Sequence, residues 1–205
     1  MLRALTKNNV EVVSWNEDWC DIILQKREQG NFDLFCPNCN GKVIFVNAID
    51  RIKHFRHCIS SYHCNYEPES EEHLAMKQKV AHILKKDPLN EKITPEMKKN
   101  DQIADIWCKH KSVEFVIECQ ASHISKQDFD DRRLGWNSKN VYHVWIFGKE
   151  YLTKQKRLIS RWKNVYFYEK STDKLYNRFN MIENPIFKPY LTLKGDKSLI
   201  IIDKK

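Results

Sequence analysis

The chain has 205 residues and a mass of 24.6 kDa, enough for one sizeable domain with an appendage or for two compact ones, which excludes a multi-domain machine. With 41% hydrophobic and 30% charged residues and no window near the ~18 uninterrupted apolar residues of a membrane span, it reads as a soluble globular protein, with no membrane partner expected. Lys and Arg number 35 against 27 Asp and Glu, a formal +8 that points to a polyanionic partner and says nothing about fold.

The opening MLRALTKNNVEVVSW lacks the continuous apolar run of a secretion signal, so the cytoplasm is the default location. Seven cysteines without an export signal argue for reduced thiols rather than a disulfide framework. VEVVSW, residues 10 to 15, reads as a strand, and Asn16 as the cap of a helix through EDWCDIILQKREQ that Gly30 stops. VIFV, residues 43 to 46, is strand-like between a Cys pair and a His pair. From Ser70, the spacing of Met76, Val80, Ile83 and Leu84 predicts a helix with Glu71 and Glu72 in its first turn.

Pro88 breaks that helix, leaving room for a short strand near residues 92 to 96. QIADIWC and VEFVIECQ form a predicted hairpin joined by Lys109 to Ser112. Ser125 and Asp128 resemble a capping box opening a further helix, and VYHVWIF is a nearly unbroken buried strand, so strand, helix and strand imply a parallel crossover of right-handed sense. A helix over Tyr151 to Trp162, a strand VYFYEK and a hairpin about Gly195 and Asp196 complete the chain. The element order is α-β-β-β-α-β with additions at both ends. The strand, helix and Cys/His segment of 1–66 read as a cover and small module ahead of a second domain, 67–205.

Two ligand pairs with two-residue gaps stand out: Cys36 with Cys39, and His54 with His57, fourteen residues apart. Tight gaps let backbone amides bend around thiolates while four ligands close a tetrahedron, a structural zinc site. Cys64 or Cys58 could displace one histidine, most plausibly Cys64 in place of His54.

The carboxylates form a second constellation. Twelve residues separate Asp105 from Glu118, and if the turn centres on Lys109 to Ser112 they fall opposite or diagonal, within roughly 5 to 8 Å at Cβ. Glu118 and Gln120 share a face because strand side chains alternate. Two acids in otherwise apolar strands are costly to bury unless a hard divalent ion such as Mg²⁺ holds them.

In order and spacing CPNC, HFRH, ESEEHLAMK, IADIW, IECQASHIS, an Arg at 132 or 133 and VYHVWIF resemble the CoiA-like competence proteins, over roughly residues 34 to 147. The resemblance implies an α/β fold, a restriction-endonuclease-like αβββαβ core of PD-(D/E)XK type behind a small N-terminal zinc-binding module. It implies a Mg²⁺- or Mn²⁺-dependent deoxyribonuclease acting on single-stranded or duplex DNA, with catalytic roles on Glu72, Asp105, Glu118 and Gln120 and the backbone carbonyl of Cys119 beside the metal. Gln120 stands where the superfamily usually has Lys, so at most it orients the attacking water. His73, Lys77 and Ser122 are candidate phosphate contacts. Longer members continue into a further C-terminal region, so a standalone nuclease in mobile-element or defence biology is as much an expectation as one in DNA uptake. An inactive zinc-stabilised DNA-binding module, a nuclease of RNA or of branched DNA, and a homodimer remain open.

The +8 is unevenly placed. Residues 1–118 hold 17 basic and 18 acidic side chains, and residues 119–205 hold 18 and 9. Lys154, Lys156, Arg157 and Arg161 on the predicted helix, with Arg132 and Arg133, are the expected grip on a nucleic-acid backbone.

Overall fold

Short runs of alternating apolar and polar residues build the first sheet, in a computed structural model that describes residues 1–28, 32–58, 64, 69–99, 101–139, 141–149 and 165–177. The chain divides into two compact units, 1–74 and 75–205. In the first unit, β1 (Arg3–Thr6), β2 (Glu11–Val13), β3 (Leu34–Phe35), β4 (Lys42–Val46) and β5 (His54–His57) form an antiparallel sheet of order β2-β1-β3-β4-β5. The helix α1 (Glu17–Glu28) starts where Asn16 Oδ1 accepts from Trp19 N at 3.5 Å. It buries Cys20 and Ile23 in one core with Val12, Leu34, Val43, Phe45 and Phe55. Phe45 and Phe55 face each other across β4 and β5 with ring centroids 5.4 Å apart. The expected stop at Gly30 lies outside the described residues.

The helix α2 (Glu71–Lys85) opens as its cap residue predicts, Ser70 Oγ accepting from His73 N at 3.2 Å. Met76, Val80, Ala81 and Leu84 are buried at helical spacing.

The second unit holds a six-stranded sheet of order β11-β10-β9-β8-β7-β6. Its strands are β6 (Asn90–Lys99), β7 (Gln102–His110), β8 (Val113–Gln120), β9 (Tyr142–Gly148), β10 (Val165–Glu169) and β11 (Lys174–Asn177). β6, β7 and β8 run antiparallel, β8, β9 and β10 run parallel, and β11 turns back on β10. Between β8 and β9 lies α3 (Lys126–Ser138), which makes the connection a parallel crossover as expected. Ser125 caps it, its Oγ accepting from Asp128 N at 3.0 Å and donating to Asp128 Oδ2 at 2.6 Å.

From α2 onward the order is therefore α-β-β-β-α-β in a mixed α/β protein with two sheets. Three elements depart from expectation. β6 runs ten residues instead of five, because an edge strand tolerates Pro95 and the register irregularity between Asn90 and Lys92. The β7–β8 connection is tighter than four residues, since His110 still pairs with Val113 and Lys111 takes a left-handed φ of 52° in a two-residue turn. β11 had no alternating run to announce it. The predicted helix at 151–162 and the hairpin about 195–196 lie outside the described residues. Among the described residues no helix is long and apolar enough to cross a membrane.

Candidate functional site

The turn after β3 builds half of a cysteine and histidine cluster. Cys36 N donates to Gly41 O at 2.8 Å and Asn40 adopts φ 58°, which folds CPNC into a knuckle. Two backbone amides then point at sulfur, Asn38 N to Cys36 Sγ and Gly41 N to Cys39 Sγ, each at 3.4 Å. Gly41 permits this approach, because a Cβ there would sit 3.3 Å from Cys39 Sγ. Cys36, Cys39, His57 and Cys64 bring their ligand atoms within 4.8 Å of one another. Cys36 Sγ lies 3.8 Å from Cys64 Sγ, and Cys39 Sγ lies 3.3 Å from His57 Nε2. A tetrahedron with Zn–S near 2.3 Å and Zn–N near 2.0 Å separates such atoms by roughly 3.8 and 3.5 Å, so the donor set fits zinc.

His54 is not part of this group, which corrects the expected His54 and His57 pair. Positions three apart on a strand face opposite sides of it, and His54 Nδ1 instead bonds to Ile52 O at 2.7 Å. Cys58 is exposed and outside the group, and Cys64 supplies the fourth donor. Burial pushes the Cys36 thiol up to about 12 and holds the His57 imidazole below its usual value, so His57 is neutral and ready to ligate.

The second site lies on β7 and β8. Ile106 pairs with Ile117, which places Asp105 and Glu118 at the next positions along their strands, and the Asp105 charge reaches Glu118. Asp105 is half-buried, and its Oδ2 accepts from Cys119 N at 2.8 Å. Glu118 is 1% exposed and bonded at both oxygens. Arg132 donates to Oε2 from Nε at 2.9 Å and from Nη2 at 2.7 Å, and Trp136 Nε1 donates to Oε1 at 2.6 Å. Burial pushes the Glu118 carboxyl up to about 7, the Asp105 charge adds to this, and the Arg132 guanidinium pulls the other way. Arg132, raised in turn by Glu118, also donates from Nη2 to Ile103 O at 2.8 Å. In this arrangement the Arg132 guanidinium neutralises a buried acid. Arg133 lies 3.7 Å from Asp130.

Donor chemistry here suits a divalent ion, since two carboxylates on paired strands demand a positive charge. That charge already stands at Glu118 in the form of Arg132. Gln120, Gln102, Asp101, Asp128, Asp131, Arg132 and Gly135 line a cleft of about 450 Å³ beside it. The acids on its rim have partners: Asp101 with Lys139 at 2.8 Å, Asp128 with Ser125, and Asp131 with the Gln127 amide at 2.9 Å. Gln120 Nε2 donates to Ser122 O at 3.0 Å and to Ser122 Oγ at 3.2 Å, so the two candidates act as one unit.

At the start of α2, Glu72 and His73 are half-buried, and His73 Nδ1 lies 3.3 Å from the Glu69 carboxylate. Glu69 was missed by sequence reasoning because it precedes the helix, although its i,i+4 spacing from His73 is a signal. Lys77 is corrected outright. It is fully buried and paired with Glu96 at 2.5 Å, where no phosphate reaches it. Lys154, Lys156, Arg157 and Arg161 lie outside the described residues.

A family model described as "Competence protein CoiA, nuclease-like domain" matches residues 69–186, more than half of the chain. The chain belongs to the CoiA family. It is 28% identical over 125 residues to "Competence protein CoiA" of Bacillus subtilis (strain 168), a stretch covering 60% of this chain and 33% of that relative. The match to the relative therefore spans about a third of its length. The family match takes in α2, the whole of the described second sheet and the Asp105, Glu118 and Arg132 group.

Proposed function

We propose that this CoiA-like chain is a Mg²⁺- or Mn²⁺-dependent nuclease of the restriction-endonuclease-like class that hydrolyses phosphodiester bonds in DNA. The observation that carries the reading is the nearness of Asp105 and Glu118, next to the Ile106–Ile117 pair of β7 and β8 and beside an open cleft, in a chain whose family is described as nuclease-like. A divalent ion bound there would supply an activated water and neutralise charge developing on the scissile phosphate. Asp105 and Glu118 would hold it, with the Cys119 carbonyl as the proposed third donor. Gln120, tied to Ser122, would orient the attacking water through its amide, since it has no charge to offer. Zinc on Cys36, Cys39, His57 and Cys64 has a structural part, because four protein donors leave no open position.

The test is a cleavage panel of single-stranded, duplex and branched DNA and RNA with Mg²⁺ or Mn²⁺. Cleavage of DNA by the wild type, lost in Asp105→Asn and Glu118→Gln with zinc content unchanged, supports the reading, and Glu72→Gln tests the helix acid alongside. Retained cleavage in Asp105→Asn overturns the assignment. One observation favours a second reading, a DNA-binding module without activity: Arg132 already satisfies Glu118. Metal-dependent binding without any cutting would select it.

A further inference from the structure

Whenever Glu118 is ionised it needs a positive charge beside it. Its side chain is 2% exposed, and an uncompensated carboxylate at that depth is strongly disfavoured. The chain supplies the charge itself, through two Arg132 hydrogen bonds to one oxygen, with Trp136 holding the other. A divalent ion arriving with the guanidinium in place would find both oxygens engaged and a like charge 2.7 Å from the carboxylate. Arg132 is nevertheless not sealed in. Its side chain is 38% exposed and lines the cleft of about 450 Å³ together with Gln120. A phosphodiester lodged there offers a guanidinium two anionic oxygens as acceptors, as a carboxylate does.

We propose that Arg132 exchanges partners, leaving Glu118 for a phosphate of the bound nucleic acid, and that the divalent ion takes its place between Asp105 and Glu118. The inference rests on the nuclease reading above. The ionised Glu118 is neutralised by the guanidinium before the exchange and by the ion after it. Metal and nucleic acid then bind cooperatively, and each tightens the other by the same factor. Arg132 is a positioning residue in the free chain and a phosphate contact in the complex.

The experiment follows free Mn²⁺ by its paramagnetic resonance signal in titrations of the zinc-loaded full chain, alone and with a short phosphorothioate DNA, single-stranded or duplex. DNA is expected to tighten Mn²⁺ binding by the wild type about tenfold, within the usual range of coupling between sites. Arg132→Gln is expected to bind Mn²⁺ about tenfold more tightly than the wild type without DNA and to gain nothing further from it. Equal Mn²⁺ affinity with and without DNA in the wild type overturns the exchange, as does a folded Arg132→Gln that binds no more tightly. Should that variant fail to fold by circular dichroism, the wild-type comparison alone decides. Mn²⁺ binding that Asp105→Asn abolishes but DNA leaves unchanged sinks the exchange and leaves the nuclease reading standing. No Mn²⁺ binding by the wild type under any condition sinks both.

Discussion

Lys77 of α2 and Glu96 of β6 form an ion pair closed to solvent, at 2.5 Å and with side chains 0% and 1% exposed. Opposite charges taken this far from water are held by each other, so removing one is far worse than removing both. Lys77→Met should lower unfolding free energy by about 3–5 kcal/mol, while Lys77→Met with Glu96→Leu should recover most of the loss. Urea denaturation of the single and double variants measures this, and an additive double variant would count against it.

Zinc should follow the observed cluster rather than the pattern of pairs. Cys64→Ser should bring the metal below stoichiometric content and loosen the first unit, because binding energy there is folding energy. His54→Ala should keep its zinc and lose about 1 kcal/mol with the bond to Ile52 O. With the Cys36 thiol held near 12 in the metal-free chain, zinc must displace its proton, so affinity should rise with pH. Native mass spectrometry across a pH series checks all three.

Glu118 gives stability a pH dependence of unusual sign for an acid. Its carboxyl, ordinarily near 4.5, stands at about 7 in the folded chain, so the fold binds the proton more tightly than the unfolded chain does. That contribution is fully present below about 4.5 and is lost as pH climbs through 7. Glu118→Gln should abolish this component. Arg132→Gln should extend it to higher pH, because the main attraction opposing burial is gone. Unfolding free energies from pH 4.5 to 8 decide, and identical slopes in the wild type and Arg132→Gln would contradict the account.

Gly135 lets a side chain cross α3. A Cβ there would fall 2.5 Å from the Gln102 amide, whose nitrogen donates to Arg132 O and whose oxygen accepts from Lys139 Nζ, each at 3.0 Å. Gly135→Ala should gain about 1 kcal/mol of helix propensity and lose two hydrogen bonds worth about 0.5–1.5 kcal/mol each, for a small net destabilisation. With Gln102 first changed to Ala, the same substitution should turn stabilising. Melting curves of the four proteins show whether the sign reverses.

Patterns with a local cause were legible in the sequence. Ser70 and Ser125 announce their helices through side chains that bond within one turn, and VYHVWIF announces a buried parallel strand through its unbroken apolar run. Contacts made by distant parts of the chain were not. Lys77 sits i+4 from His73 and looks solvated until Glu96 arrives from another element, and nothing local to Arg132 announces its pairing with Glu118. The zinc ligands were half legible: strand alternation separates His54 from His57, and the expected replacement of His54 by Cys64 is the cluster found.

The two-residue turn at Lys111 and Ser112 sets the phase of the sheet. Asp105 stands five residues from the paired position at the tip, about 17 Å down the hairpin, yet alternation puts it on the same face as Glu118 only because the count around the turn is even. One residue inserted at the tip would shift one strand by one position and carry its acid to the opposite face. The tip could thus silence the acid pair by length alone, and two inserted residues should be tolerated better than one.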